Sequence, residues 1–167
     1  MPFDRKWITM IKFILMTAVA LLLYVTVFKA DSMPRLPLDL YQASSGETRK
    51  GLNAGQCLSD QCVVIFVAPW CPTCHKLTPM MNELAAQLKA EGIDTQVVIG
   101  KDDMAEVKQY AGRFDFAVFT DPEGQSFKQV GLKGVPAFYA VNRSGDIKAS
   151  IEGGYPEVAR LRKALKI

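Results

Sequence analysis

A short apolar run stands directly before two cysteines that are separated by two residues, and a helical pattern follows them. The run Val63–Ala68 reads VVIFVA, and its length and β-branched residues are typical of a strand buried on both faces of a sheet. From Cys74 to Ala90 apolar residues recur at the spacing of one helix face, and Gly92 follows that helix. The segment in between reads PWCPTC. The sequence therefore predicts Cys71 and Cys74 at the start of a helix that follows a central strand.

Strand and helix patterns alternate through the rest of the chain. Strands are predicted at Thr95–Ile99, Phe116–Thr120, Ala137–Val141 and Ile147–Ile151, and helices at Asp102–Ala111, Ser126–Val130 and Pro156–Leu165. A β-α-β start implies a parallel sheet with crossover helices, and the turn residues 142–146 predict a hairpin that adds an antiparallel edge. The chain is therefore expected to be an α/β protein with a central mixed sheet flanked by helices.

Two cysteines at this spacing on a helix N-terminus suit thiol–disulfide exchange. At Cys71, unpaired backbone N–H groups and the helix dipole stabilise a thiolate, which is the nucleophilic form of cysteine. Pro72 falls in the first turn, where its missing N–H costs nothing. Cys74 lies one turn further along, close enough to attack a mixed disulfide on Cys71, and hydrogen bonding around Thr73 adjusts the reactivity of Cys71. The predicted role of the pair is redox chemistry.

The residues alone leave two other roles open for these cysteines. Cys57 and Cys62 complete a C-x4-C-x8-C-x2-C spacing, which offers four ligands to zinc. Zinc ribbons usually place each cysteine pair on a turn between short strands, whereas Cys71 opens a long helix, so no metal site is predicted. The other alternative is a purely structural Cys71–Cys74 disulfide, although a bridge across so short a loop stabilises a fold only weakly.

A second motif, the G-V-P of residues 134–136, precedes the strand Ala137–Val141. The first strand, W-C-P-T-C, Pro79 in the following helix and this G-V-P together resemble the thioredoxin superfamily over residues 63–167. The stretch from F-T-D-P-E-G-Q to N-R-S-G-D-I is similar to its membrane-anchored extracytoplasmic branch, the TlpA-like and cytochrome-c-maturation thioredoxins. The resemblance implies a thioredoxin fold, in which Pro79 kinks the active-site helix.

The resemblance also implies roles for the matching residues. Cys71 would be the exposed nucleophile and Cys74 the resolving thiol. Pro136 would be a cis-proline that faces the disulfide, and the backbone of Val135 would pair with an extended substrate strand.

The sequence departs from the family at one position. Thioredoxins proper carry a buried acid six residues before the nucleophile, which helps to move a proton from the resolving thiol. Ile65 occupies that position here. Deprotonation of Cys74 is therefore expected to depend on water or on another group, such as Glu83.

Cys57 and Cys62 lie just upstream of the first strand, with four residues between them. They can close a small local disulfide, form a second redox pair that exchanges with Cys71–Cys74, or stay unpaired. An even number of cysteines outside the cytoplasm favours pairing.

His75 is the only histidine, and it is expected to be an exposed helix residue. Two alternatives are open: His75 tunes the Cys71 thiolate, or it forms a copper(I) site in which His75 and the two cysteines of the motif are joined by Met80 and Met81 as soft ligands.

Two further features are expected near the active-site face. Trp70 is predicted to cover the redox pair rather than to stack on nucleic-acid bases. The pair Gly153-Gly154 indicates a close approach of two backbone segments.

The N-terminal segment Ile8–Phe28 is apolar apart from Lys12, and as a helix its 21 residues would span about 31 Å, close to the thickness of a bilayer core. A cleaved signal peptide is the alternative, but no small-residue cleavage site follows the run. Basic residues precede this segment, and the positive-inside rule therefore places the N-terminus in the cytoplasm. We expect a cytoplasmic segment at 1–7, a transmembrane signal anchor at 8–28, an extracytoplasmic linker at 29–56 and a thioredoxin-like domain at 57–167.

Residues 36–167 carry equal numbers of acidic and basic side chains, which argues against nucleic-acid binding. The expected function is dithiol–disulfide exchange with protein substrates, in the reductase direction, by a single-pass protein of the inner membrane whose catalytic domain faces the periplasm. The fold implies no nicotinamide or flavin cofactor, so electrons would come from a membrane-embedded redox partner. The alternative function is that of a copper-binding or chaperone-type protein without turnover.

Overall fold

The computed structural model describes residues 5–27 and 31–167 of the chain. They fall into two units, which are considered separately: a first unit that carries helix α1 (Arg5–Val27), and a second unit, Ser32–Ile167. Within these two ranges, no helix is sufficiently long and apolar to qualify as a membrane span. The predicted anchor ends at Phe28 and the predicted cytoplasmic segment begins with residues 1–4, and these residues lie outside the described ranges.

Residues 32–167 form one mixed sheet of seven strands with helices packed on its faces. The strands are β1 (Leu36–Gln42), β2 (Glu47–Ala54), β3 (Gln61–Val67), β4 (Asp94–Gly100), β5 (Val118–Asp121), β6 (Ala137–Asn142) and β7 (Ile147–Glu152), in the spatial order β2-β1-β5-β4-β3-β6-β7. The helices are α2 (Pro72–Ala90), α3 (Met104–Ala111), α4 (Gln125–Val130) and α5 (Val158–Leu165). The predicted α/β class with a central mixed sheet is confirmed.

Strand β3 is an interior strand of the sheet, and its side chains from Cys62 to Val67 are buried on both faces. It pairs in parallel with β4 and antiparallel with β6, so that Ile65 lies opposite Val97 on one side and Phe138 on the other. Ile65 belongs to the core on the side of α2, α3 and α5, whereas its neighbour Phe66 belongs to the core on the side of α4. The continuous apolar run was therefore correctly interpreted as a strand covered on both faces.

The segment predicted as a linker, 29–56, differs from the expectation. Instead of a linker, β1 and β2 form an antiparallel hairpin, and β1 also pairs antiparallel with β5. The folded unit therefore begins at Ser32 rather than at Cys57. The physical reason is that β2 is an edge strand whose side chains are exposed up to Ala54, so no apolar alternation marks it in the sequence.

Candidate active site

The topology of the sheet brings the two predicted motifs together. Strand β3 leads into Cys71 at its carboxyl end, and the neighbouring antiparallel strand β6 begins just after Pro136. Because Phe66 lies opposite Ala137 in this pairing, the end of one strand and the start of the other meet at the same edge of the sheet. The C-P-T-C segment and the G-V-P loop therefore face each other.

Cys71 is the N-cap residue of α2 and is joined to Cys74 by a disulfide, with 5.2 Å between the two Cα atoms. The Cys71 Sγ accepts a hydrogen bond from the backbone N–H of Cys74 over 3.1 Å, and Pro72 occupies the first turn. The first turn of α2 contains no acidic side chain. When the disulfide is reduced, an anion on the Cys71 sulfur is therefore stabilised by the helix dipole and by a direct N–H donor.

The two sulfurs of this pair differ in accessibility, but less than the resemblance implied. Cys71 is 4% exposed and Cys74 is fully buried. Cys71 was expected to be an exposed nucleophile, but its sulfur is bonded to buried Cys74 and lies 3.5 Å from the Val135 carbonyl oxygen. A partner must therefore fit closely against this surface to contact the Cys71 sulfur.

The G-V-P loop lies directly against the disulfide. The peptide bond between Val135 and Pro136 is cis, and the carbonyl oxygen of Val135 lies 3.5 Å from the Cys71 Sγ. Val135 is partly buried and is not paired within the sheet, because β6 starts only at Ala137. The backbone of Val135 therefore lies beside the Cys71 sulfur without taking part in the sheet.

Trp70 precedes the disulfide and is 55% exposed, so it flanks the redox pair more than it covers it. Its indole N–H donates a hydrogen bond to the carbonyl oxygen of Lys101 over 2.9 Å, which ties the active-site loop to the loop after β4. The exposed Trp70 leaves a flat apolar surface open beside the two sulfurs.

A hydrogen-bonded chain that the sequence did not predict lies on the buried side of Cys74. The Thr78 hydroxyl donates to the carbonyl oxygen of Cys74 over 2.9 Å, and the Tyr110 hydroxyl donates in turn to the Thr78 oxygen, also over 2.9 Å. Burial raises the pKa of Tyr110. Tyr110 therefore holds its proton at neutral pH and positions Thr78 rather than acting as a base. No sequence pattern marks this contact, because Tyr110 belongs to α3 and Thr78 to α2.

His75 is not the exposed residue that was expected. Its ring packs against the Tyr110 ring, with 4.4 Å between the centroids, and its Nε2 donates a hydrogen bond to the carbonyl oxygen of Pro69. Its Nδ1 is buried and has no hydrogen-bond partner among the described residues. The direction of the bond to Pro69 assigns the proton to Nε2. His75 therefore fixes the loop that carries Trp70 and Cys71.

Three further residues singled out in the sequence are Glu83, Met80 and Met81. Glu83 is exposed and accepts a hydrogen bond from Gln87, and nine residues of α2, about 13 Å of rise, separate it from Cys74. The suggestion that Glu83 deprotonates Cys74 is therefore not supported. Met80 and Met81 are both buried in the hydrophobic core, where they pack with apolar side chains.

A disulfide also joins Cys57 to Cys62, with 5.3 Å between the Cα atoms. Both residues are buried, and the Cys57 Sγ lies 3.3 Å from the carbonyl oxygen of Val141. Cys62 is the second residue of β3, whereas Cys71 follows the other end of that strand, and the chain from Cys62 to Val67 alone extends about 17 Å. The second disulfide is too far from the first for direct exchange between them within one molecule.

The amino-acid sequence matches a protein family and several known proteins. Residues 34–165 match the Redoxin family. The chain is 28% identical over 90 residues to the thiol-disulfide oxidoreductase ResA of Bacillus thuringiensis subsp. konkukian, a match that covers 53% of this chain and 52% of that protein. It is 37% identical over 92 residues to a protein disulfide-isomerase of Hordeum vulgare, covering 55% of this chain and 14% of that protein.

A solved structure from Chlorobium tepidum, described as a candidate thiol:disulfide interchange protein DsbE, superimposes with a TM-score of 0.65 at 23% identity. The superposition covers 83% of this chain and 95% of that one. This likeness shows a shared fold. The chain spans about half the length of the ResA relative that it matches.

Proposed function

Because the chain belongs to the Redoxin family and has a thioredoxin-like fold, we propose that it exchanges disulfides with protein substrates through Cys71 and Cys74. The observation that carries the proposal is the position of the Cys71 sulfur, at the N-terminus of α2 and 3.5 Å from the Val135 carbonyl oxygen. The names of the curated relatives, thiol-disulfide oxidoreductase and protein disulfide-isomerase, describe the same chemistry.

In the reductase direction the reaction has two steps. The Cys71 thiolate attacks one sulfur of a substrate disulfide, a mixed disulfide forms, and the other substrate sulfur leaves as a thiolate that takes up a proton. Cys74 then loses its proton and attacks the Cys71 sulfur, which releases the second substrate thiolate. The substrate gains two electrons, and the protein is left with the Cys71–Cys74 disulfide that the structure contains.

We propose that the reductase direction is the physiological one, in keeping with the resemblance to the extracytoplasmic branch of the superfamily. Each turnover consumes one dithiol, so a second dithiol protein must reduce Cys71–Cys74 again. A membrane-embedded thiol donor meets that need on the outer side of a membrane. No nicotinamide or flavin takes part in the proposed cycle.

The proposal also includes a location outside the cytoplasm with an N-terminal anchor at residues 8–28. Support for the location comes from the Cys57–Cys62 disulfide, which lies outside the proposed redox pair, because structural disulfides persist in oxidising compartments. Support for the anchor comes from the sequence alone, a 21-residue apolar run preceded by basic residues. Deletion of residues 1–30 should move the protein from the membrane fraction to the soluble fraction, and a full chain that is soluble after cell fractionation contradicts the anchor.

Trapping of the mixed disulfide tests the catalytic proposal. The Cys74→Ala variant should capture a disulfide-containing protein such as insulin in a bond that mass spectrometry assigns to Cys71, and Cys71→Ala should capture none. The wild-type chain should reduce insulin with a dithiol as electron source. A wild-type chain without turnover, together with a Cys74→Ala variant that captures nothing, would overturn the proposal in favour of a binding protein.

A further inference from the structure

A groove of about 370 Å³ opens beside the redox disulfide. Trp70, which precedes Cys71, and Val135, whose carbonyl oxygen lies 3.5 Å from the Cys71 Sγ, both line it, so the groove lies next to the reactive sulfur although Cys71 is not part of its lining. The buried ring of Phe127 contributes further apolar lining. The remaining lining includes three lysines, Lys101, Lys128 and Lys133.

These three lysines carry charge that the domain itself does not neutralise. All three are exposed, and among the described residues none of them forms an ion pair with a carboxylate within 4.0 Å. The lining itself, as far as the structure describes it, contains no acidic residue. The Glu152 carboxylate accepts the backbone N–H of Lys133, and Asp102 and Asp103, which follow Lys101, accept the backbone N–H groups of Asp103 and Glu106. Within the described part of the chain, the exposed Glu123, next to Gly124, forms no ion pair with the three lysines. The groove therefore combines an apolar lining with a positive rim in a domain whose overall charge is balanced.

The buried carboxylate of Asp121 also lies near this region, but its oxygens are already occupied. They accept the backbone N–H groups of Gln125 and Ser126 and the Ser126 hydroxyl at the start of α4. Asp121 is 3% exposed, so it presents little negative charge to a molecule in the groove.

Lys101 is held in a fixed place relative to the disulfide. Its carbonyl oxygen accepts the Trp70 indole N–H, and its own N–H donates to the carbonyl oxygen of Asp121 over 3.2 Å. The aliphatic part of the Lys101 side chain lies so close to Gly124 that a Cβ at residue 124 would collide with it. The Lys101 ammonium is therefore carried on an ordered loop bonded to the residue that precedes Cys71.

We infer that the groove binds the polypeptide segment next to the substrate's reactive cysteine and that this segment is acidic. The inference rests on the proposed exchange function and specifies its substrate class: disulfides with Asp or Glu within a few residues of the attacked sulfur. Opposite charge across a solvent-exposed interface acts mainly on the rate of encounter and on the choice between partners. We therefore expect the selectivity to be strong at low ionic strength and to weaken as salt is added.

Three peptide disulfides that differ only beside the cysteine, where they carry Glu, Gln or Lys, provide the test. For the full chain at low salt, kcat/KM for the Glu peptide should exceed that for the Lys peptide by about tenfold, with the Gln peptide between them. Replacement of the three groove lysines by Gln should bring the ratio close to one. Lys89→Gln, an exposed lysine in the last turn of α2, is the matched control and should keep the wild-type ratio.

The outcomes separate this inference from the function on which it rests. Equal rates with all three peptides, or faster exchange with the Lys peptide, would overturn the acidic preference while leaving disulfide exchange intact. A ratio that survives in the triple variant would also overturn it. Absence of exchange with every peptide would overturn the proposed function, and this inference with it.

Discussion

Gly153 donates its backbone N–H to the carbonyl oxygen of Pro136 over 2.8 Å. The bond ties the chain just after β7 to the loop that faces the redox disulfide. The next residue, Gly154, lies against the Leu77 side chain of α2, and a Cβ at Gly154 would lie 3.6 Å from the Pro136 ring and collide with Leu77. The close backbone approach indicated by the paired glycines thus occurs beside the active site.

The Gly154→Ala variant should be less stable and slower in exchange. The added methyl group displaces Leu77 from the core and presses on the cis-proline loop, at a cost of about 1–3 kcal/mol. Urea unfolding and insulin reduction measure the two effects. Gly134→Ala is the control for stability, because a Cβ there meets nothing within 4 Å. Equal stability of the two variants would contradict the packing described for Gly154.

Removal of the Cys57–Cys62 disulfide should lower stability without affecting exchange. A bridge that closes a loop of this size lowers the entropy of the unfolded chain and so raises its free energy by about 2 kcal/mol. The double variant Cys57→Ala/Cys62→Ala should therefore unfold at lower urea concentration and reduce insulin at the wild-type rate. A loss of turnover at a temperature where the variant is still folded would show that this pair takes part in the reaction.

The His75→Ala variant should release the loop that carries the nucleophile. It removes the donor to the Pro69 carbonyl and the ring that packs on Tyr110, so we expect a loss of about 1 kcal/mol of stability and slower alkylation of Cys71. Lys76→Ala, an exposed change at the next position of α2, is the control. If both variants react at the same rate, His75 does not position the loop.

Alkaline pH should destabilise the domain through its buried phenols. Burial raises the pKa of Tyr110 above the ordinary value, so below about pH 10 the phenol is protonated in both the folded and the unfolded chain. As the pH rises toward the folded pKa, only the unfolded chain ionises, and stability is lost. The fall in unfolding free energy from pH 9 to 11 should be shallower in Tyr110→Phe.

The stability of Tyr110→Phe should still fall somewhat between pH 9 and 11, because burial and the nearby Glu152 carboxylate also raise the pKa of Tyr139. The surface change Tyr155→Phe controls for the loss of a phenol elsewhere. An identical pH dependence in wild type and Tyr110→Phe would show that Tyr110 ionises as easily in the fold as in the unfolded chain.

The central strand, the active-site helix and the redox motif were predictable because their signals are local. The VVIFVA run, the helical spacing after Cys74 and the position of C-P-T-C between them each depend on a few adjacent residues. The facing position of Pro136 came from family resemblance, and β3–β6 pairing explains it physically.

The features that escaped prediction depend on contacts between distant segments. Strand β2 is polar and gains its order by pairing with β1, so its sequence resembles a linker. The contact of Thr78 with Tyr110 requires α2 and α3 to pack together, and no spacing along the chain encodes it. The lysine-rimmed groove is likewise assembled from segments that are distant in sequence, namely Trp70, Lys101 and residues between Phe127 and Val135.

The pH dependence of thiol alkylation tests the central claim most directly. In the reduced full chain, mass spectrometry should show that iodoacetamide modifies Cys71 well before Cys74, with a rate that reaches half its maximum below about pH 8.5, the ordinary value for a cysteine thiol. That result is expected of a thiolate stabilised at the N-terminus of α2. Equal modification of Cys71 and Cys74, or a Cys71 rate that rises only above pH 8.5, would contradict the account.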